Sequence, residues 1–249
     1  MIDHRCIEPL NRTGLVTAIY TTIRDNAWKY GKDGAYDNCR RLAADLNITV
    51  DDIVMVSQKH TDRIKTVTGL NRGEMVTRLT DDNEYDGMIT DERNLLLCTL
   101  EADCVPVYLL DPVNRAIGMV HSGWRGTAAN ISVNAAELMA KNYNSRPGDI
   151  LIAIGPCICP SCYEVGPELI DDFSLRYSDT ELSRIFINRK GDKYHLDLKQ
   201  AIIISLERIG VDPANISDTG ICTRESSDLC SWRRDNPVMR SMLTGIMLN

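Results

Sequence analysis

Leu95-Leu96-Leu97-Cys98-Thr99-Leu100-Glu101-Ala102-Asp103-Cys104-Val105-Pro106-Val107-Tyr108-Leu109-Leu110 contains two apolar runs, Leu95–Leu100 and Val105–Leu110, parted by two acidic residues and a cysteine. Working outward, Ile53–Val56 and Ile64–Val67 precede them and Ala116–Val120 follows, with turn residues such as Asp86-Gly87 and Asp111-Pro112 in between. A series of short apolar runs punctuated in this way reads as the core of a sheet. Before it, Leu15 to Ile23 is β-branched and apolar enough for a strand, and Tyr36 to Leu46 carries Cys39, Leu42, Ala43 and Leu46 at helical spacing.

After it, the spacing of Ile131, Ala135, Leu138 and Met139 predicts a helix over Thr127 to Tyr143, with Thr127 as its cap. Asp149 to Ile154 reads as a strand ended by Gly155-Pro156, and Val165 to Tyr177 as a short helix. His195 to Ile209 reads as a firmer helix, closed by Gly210. Strands and helices alternate without a Ser/Gly linker, low-complexity tract or repeat, which predicts one domain over residues 1–249. The expected class is α+β (mixed α/β), a mixed β-sheet core flanked by helices.

The hydrophobic fraction of 43% and charged fraction of 25% exclude a disordered or fibrous chain. Met1-Ile2-Asp3-His4 has no basic n-region before an apolar run, and no stretch approaches the roughly 20 apolar residues that cross a bilayer, so a cytoplasmic location without a membrane partner is expected. Nine cysteines, an odd number in a chain of 249 residues, read as free thiols and metal ligands rather than a disulfide framework. A net charge of −7 argues against a nucleic-acid partner. Arg40-Arg41, Arg125 and Arg233-Arg234 are left as solvated faces or as sockets for a small anion.

Three residues stand out chemically. His60 follows the Ile53–Val56 run; alone, such a histidine is more often structural than a ligand. Cys104 lies at the break between two runs beside Asp103 and near Glu101, and carboxylates are costly in a core unless paired or near a cation. His121 closes the run Ala116–Val120 and is followed by Ser122-Gly123-Trp124-Arg125-Gly126, a tight strand-to-helix turn that aims an imidazole and backbone N–H groups into one space. Two His and one Cys would leave the fourth tetrahedral position of zinc open, the pattern of a catalytic site. Spacing alone leaves two unrelated histidines and a core cysteine as an equal alternative. In Cys157-Ile158-Cys159-Pro160-Ser161-Cys162, the C-x-C-x-x-C order has only the scattered Cys222 and Cys230 downstream, which favours redox-prone thiols over a second, structural zinc site.

The sequence resembles the laccase-like multicopper polyphenol oxidase family, associated with purine nucleoside phosphorylase activity and also described as peptidoglycan editing factors. The resemblance rests on Tyr85-Asp86-Gly87-Met88-Ile89-Thr90, Ala102-Asp103-Cys104-Val105-Pro106-Val107, His121-Ser122-Gly123-Trp124-Arg125-Gly126-Thr127 and Gly155-Pro156 through Cys162-Tyr163-Glu164-Val165-Gly166. His195-Leu196-Asp197-Leu198 and Ser231-Trp232-Arg233-Arg234-Asp235 extend it almost to the C-terminus. It implies His60, Cys104 and His121 as metal ligands and a fold like that of cysteine-dependent toxin deamidases. Departures are Thr22-Ile23-Arg24-Asp25-Asn26-Ala27-Trp28, which lacks the family's glycine pair, Asn38-Cys39 for the usual Asn-Arg, Thr61 for a common Gly, and Ser122 for Ala.

The resemblance further implies phosphorolysis of adenosine, inosine or 5'-methylthioadenosine to free base and ribose 1-phosphate or its methylthio analogue, with adenosine deamination as a second activity. Zinc is the expected metal and copper the alternative. Asp103 or Glu101 is the expected proton carrier beside Cys104, with an orienting role for Asp103 left open. Arg125 with the helix-start N–H groups is the expected phosphate socket, Arg233 or Arg234 its reserve, and Gln58 a further substrate contact. Two rival readings are a Cys-His thiol hydrolase acting on a peptidoglycan precursor and a copper polyphenol oxidase, for which one Cys and two His are too few ligands.

Overall fold

The computed structural model describes residues 1–25, 28, 33–81, 84–237 and 240–249. Two sheets dominate it. One runs β1 (His4–Cys6), β2 (Val16–Thr21), β14 (Met242–Leu248), β6 (Leu96–Glu101) and β3 (Ile53–Met55), antiparallel except for the parallel pair β3 and β6. The other runs β13 (Ile216–Asp218), β9 (Leu151–Ile154), β7 (Val105–Asp111), β8 (Ala116–Ser122), β5 (Gly87–Thr90) and β4 (Ile64–Thr66). A small third sheet joins β10 (Glu164–Val165), β12 (Lys193–Leu196) and β11 (Phe186–Lys190).

The period of two along each strand explains why the runs are apolar throughout rather than alternating. In β7, Val105, Val107 and Leu109 face one core with Ile131, Ala135 and Met139 of α4 (Ile131–Tyr143) and Ala201 and Ile202 of α7 (Leu198–Arg208). Tyr108 and Leu110, on the opposite face, pack in a second core with Leu97, Val54 and Ile246 of the other sheet. That sheet's outer face, with Ile53, Leu96, Cys98 and Leu243, is covered by Cys39, Leu42 and Ala43 of α2 (Asp33–Asp45). The order of layers is therefore helix, sheet, sheet, helix, and both sheets are buried on two faces. The expected mixed α/β class stands, as two mixed sheets rather than one.

Three sequence expectations are corrected. The helix predicted from Thr127 begins earlier, as α3 (Trp124–Ala128), and is interrupted at Asn130, whose φ of 62° starts α4 afresh. Asparagine tolerates that backbone, and its Oδ1 accepts a hydrogen bond from the Tyr177 hydroxyl. Thr127 caps nothing: its hydroxyl donates to Gly123 O inside α3. His195 lies in β12, paired with Glu164 and Ile187, and α7 starts only at Leu198, capped by Asp197, whose Oδ1 accepts Gln200 N–H. Val165 belongs to β10, and the helix after it is α5 (Glu168–Ser174). The different loop shape expected from Thr22 to Trp28 falls partly on residues 26 and 27, outside the described residues.

Candidate metal centre and cleft

Strand ends bring the three suspected donors together. His60 lies on the loop after β3, Cys104 one residue before β7, and His121 near the end of β8, opposite Pro106 across the β7–β8 ladder. His60 Nε2 is 4.0 Å from Cys104 Sγ, and one ligand atom from each of His60, Cys104 and His121 lies within 4.8 Å of the others. The two imidazoles meet edge to face, centroids 4.9 Å apart. Gly123 makes the approach possible, since a Cβ there would sit 2.8 Å from His60 Cδ2 and 3.1 Å from Cys104 Sγ.

The residue that organises this cluster is Asp86, fully buried at the start of β5. Its Oδ2 accepts from Lys59 N–H at 3.1 Å, Thr61 N–H at 2.6 Å and the Thr61 hydroxyl at 2.9 Å, while Oδ1 accepts from His60 N–H at 3.0 Å. These bonds hold His60 at a φ of 60°, a left-handed backbone that costs a non-glycine residue of order 1–3 kcal/mol. Asp86 Oδ1 also lies 2.8 Å from His121 Nδ1, which leaves His121 Nε2 free to face the cluster. A carboxylate behind a histidine fixes its tautomer and orientation for a metal. In the sequence Asp86 stands out as a turn residue and as part of a family motif, with no site role assigned to it. The available signal was an aspartate directly before the apolar Met88-Ile89 of a strand.

Electrostatics suits the same use. Burial and the neighbouring His121 charge push His60 below its ordinary value, so its imidazole is neutral at neutral pH. Burial alone would raise Asp86, but hydrogen bonds from His121 and the 59–61 loop hold it down and ionised. Burial raises Glu101 to about 8. Burial would lower His121, yet Glu101, Cys104 and Asp86 together raise it well above its usual range. Glu101 Oε2 is 3.8 Å from His121 Nε2, and a protonated Glu101 cannot also supply the negative charge that raises His121. A metal ligated through His121 Nε2 would have to displace the proton that this pair favours.

The cluster lies at a cleft of about 1020 Å³, lined among others by Trp124, Arg125, Tyr163, Trp232, Arg233 and Arg240. Arg125 stacks on Trp124 at 4.2 Å and Arg233 on Tyr163 at 5.1 Å, so two walls present an aromatic face with a guanidinium over it. Gln58 lines the cleft too, but its amide bridges Leu100 N–H and C=O at 2.8 Å each, extending the β3–β6 pairing toward His60.

Arg234 is placed elsewhere. Its guanidinium donates to the carbonyls of Thr223, Arg224, Ser226 and Leu229 and pairs with Asp235, and the lining does not include it.

The two carboxylates beside Cys104 differ. Asp103 has a φ of 85°, and its oxygens accept from the Thr223 hydroxyl at 2.5 Å and from Arg233 N–H in the first turn of α8 (Trp232–Asp235) at 2.6 Å. Its carbonyl accepts Ile158 N–H at 3.0 Å, so Asp103 ties three segments of the cleft wall together. Glu101 is fully buried behind the donors, and neither of its oxygens has a hydrogen-bond partner among the described residues.

Residues 31–249 match the family described as multi-copper polyphenol oxidoreductase laccase, and the chain belongs to it. It is 36% identical over 213 residues to purine nucleoside phosphorylase YlmD of Geobacillus stearothermophilus, covering 84% of this chain and 77% of that one. It is 32% identical over 196 residues to adenosine deaminase RL5 of an unknown prokaryotic organism, covering 78% and 74% respectively. Hypothetical protein YfiH of Bacillus licheniformis superposes with a TM-score of 0.91 at 30% identity, over 100% of this chain and 97% of that one. Among the described residues, no helix is long and apolar enough to cross a membrane.

Proposed function

We propose that the chain is a metal-dependent purine nucleoside phosphorylase whose ion is held by His60, Cys104 and His121, with residues 1–249 acting as one unit. The observation that carries this is the convergence of these three donors beside a cleft with paired aromatic and arginine walls. Such walls suit a flat base and an anionic co-substrate. The substrates proposed are adenosine, inosine or 5'-methylthioadenosine with phosphate, and adenosine deamination is the second activity. The relatives' names support both reactions.

Zinc would fit the donor set of two imidazoles and a thiolate that His60, His121 and Cys104 offer beside the cleft. Bound there, it supplies Lewis acidity and lowers the pKa of water toward about 7. The chain's own groups do the rest. Trp124 and Tyr163 flank the base and exclude water. Arg125 is the proposed phosphate socket and Arg233 its reserve, each held over an aromatic face. Glu101 is the proposed proton holder, and Asp103, which accepts Arg233 N–H and the Thr223 hydroxyl, a positioning residue that anchors the chain beside Cys104.

The 4.0 Å contact between Cys104 and His60 also supports a second reading, a thiol nucleophile with an imidazole base acting on an amide of a cell-wall precursor. Copper with phenol oxidation ranks third, because one thiol and two imidazoles make a single centre. Cys104→Ala separates the first two: loss of metal together with nucleoside turnover supports the metal centre, whereas retained metal with lost turnover supports the thiol.

A further inference from the structure

A second group of donors lies outside the cleft. Strands β9 and β13 run parallel, and their chains continue side by side beyond the strand ends: Cys157 N–H donates to Ile221 O at 3.2 Å and Thr223 N–H to Cys157 O at 3.0 Å. This continuation carries Cys159 against Cys222, with Cys159 N–H donating to Cys222 Sγ at 3.3 Å. Cys159 then caps a short 3-10 turn, Pro160–Cys162, whose closing bond from Cys162 N–H to Cys159 O brings Cys162 back to the same place. From the turn after Cys222, Glu225 Oε1 reaches 3.4 Å from Cys162 Sγ and 3.8 Å from Cys159 Sγ. One ligand atom from each of the four residues lies within 4.8 Å of all the others.

We propose that Cys159, Cys162, Cys222 and Glu225 form a second metal centre, a closed, structural site for a thiophilic divalent ion of the zinc type. Four protein donors leave no position for substrate, which distinguishes it from the three-donor centre in the cleft. Thiolates at about 2.3 Å from a tetrahedral ion stand roughly 3.8 Å apart, and a carboxylate oxygen stands slightly closer. The measured sulfur–oxygen separations already have that size. Three sulfur donors disfavour magnesium and calcium.

The surroundings suit a ligated state. The Cys159 N–H points at Cys222 sulfur, the Ser161 hydroxyl lies 3.0 Å from Cys159 sulfur, and the Arg224 guanidinium lies against Cys162, offsetting the excess negative charge of three thiolates and a carboxylate. The two loops so joined carry the cleft wall. Ile158, Tyr163 and Glu164 line the cleft, and Thr223 holds Asp103 beside Cys104. An ion here staples that wall without touching substrate.

The test uses the full chain, prepared metal-free under reducing conditions and titrated with cobalt(II) alone. Wild type is expected to bind two ions per chain, one with the intense sulfur-to-cobalt absorption of three thiolates and one with that of a single thiolate. Cys159→Ser and the conservative, exposed Glu225→Gln should each lose the thiolate-rich ion and keep the other; His121→Ala should do the reverse. Wild type saturating at a single ion that depends on His121, Cys159→Ser retaining both, or mass spectrometry finding a Cys159–Cys162 disulfide beside that single ion would each overturn the proposal. The cleft centre is judged separately, by the ion that depends on His121.

Discussion

Replacing Asp86 by Asn removes a charge and one acceptor from a carboxylate that serves five donors. In either orientation the amide N–H₂ meets hydrogen-bond donors. At the Oδ2 position it faces Lys59 N–H, Thr61 N–H and the Thr61 hydroxyl, and the loop that presents His60 opens. At the Oδ1 position it faces His60 N–H, and it drives His121 to the tautomer that carries its proton on Nε2, the atom wanted for the metal. Hydrogen bonds to a charged group contribute about 1.5–3 kcal/mol each, so losing two of them costs the metal-free protein about 3–6 kcal/mol. Loss of a residue that orients a ligand lowers metal affinity about 10–100-fold. Chelator competition on folded protein reads the second figure, and urea unfolding of the metal-free form reads the first. Metal affinity within twofold of wild type in a folded Asp86→Asn protein would refute the role assigned to this carboxylate.

Gly123→Ala keeps a permitted backbone, φ −74° and ψ 172°, but places a methyl 2.8 Å from His60; metal affinity should fall about 10-fold or more, measured by chelator competition, with the melting temperature of the metal-free protein little changed. Because a proton must leave the Glu101–His121 pair when metal binds, affinity should rise with pH through the neutral range, and calorimetry in buffers of different ionisation enthalpy should detect the released proton. In the metal-free protein the raised Glu101 favours folding below its ordinary value of 4.5, and that contribution fades as pH rises toward about 8; unfolding free energies across this range check the sign. Arg125→Ala should raise the KM for phosphate about 10-fold or more while leaving metal content unchanged, read by steady-state kinetics and elemental analysis.

Much of this arrangement was legible because the sheets are buried on both faces, so that Leu95–Leu100, Val105–Leu110 and Ala116–Val120 announced themselves as unbroken apolar runs. His60, Cys104 and His121 were visible as reactive residues at run ends and as a possible three-donor set, but the family resemblance was needed to choose that set over unrelated residues, since their meeting depends on strand order and not on spacing. What the residues did not reveal was backbone detail. His60, Asp103 and Asn130 adopt positive φ under the hold of distant partners, and no local pattern encodes that. The strand β14 escaped notice although it pairs with both β2 and β6, because Gly245 interrupts its apolar run. That glycine is needed for close packing: a Cβ would meet Cys98 Sγ at 3.0 Å. Cys222 looked scattered in sequence because it reaches Cys159 only through the parallel pairing of β9 and β13.

The most direct test of the central claim is product analysis with adenosine, with and without phosphate, on wild-type protein before chelation, after it and after zinc is restored. The account predicts adenine release that requires phosphate, vanishes on chelation, returns with zinc and is absent in Cys104→Ala, with inosine formation as the lesser, phosphate-independent reaction. Nucleoside turnover indifferent to chelation, or no nucleoside turnover by the zinc-loaded protein, would contradict it.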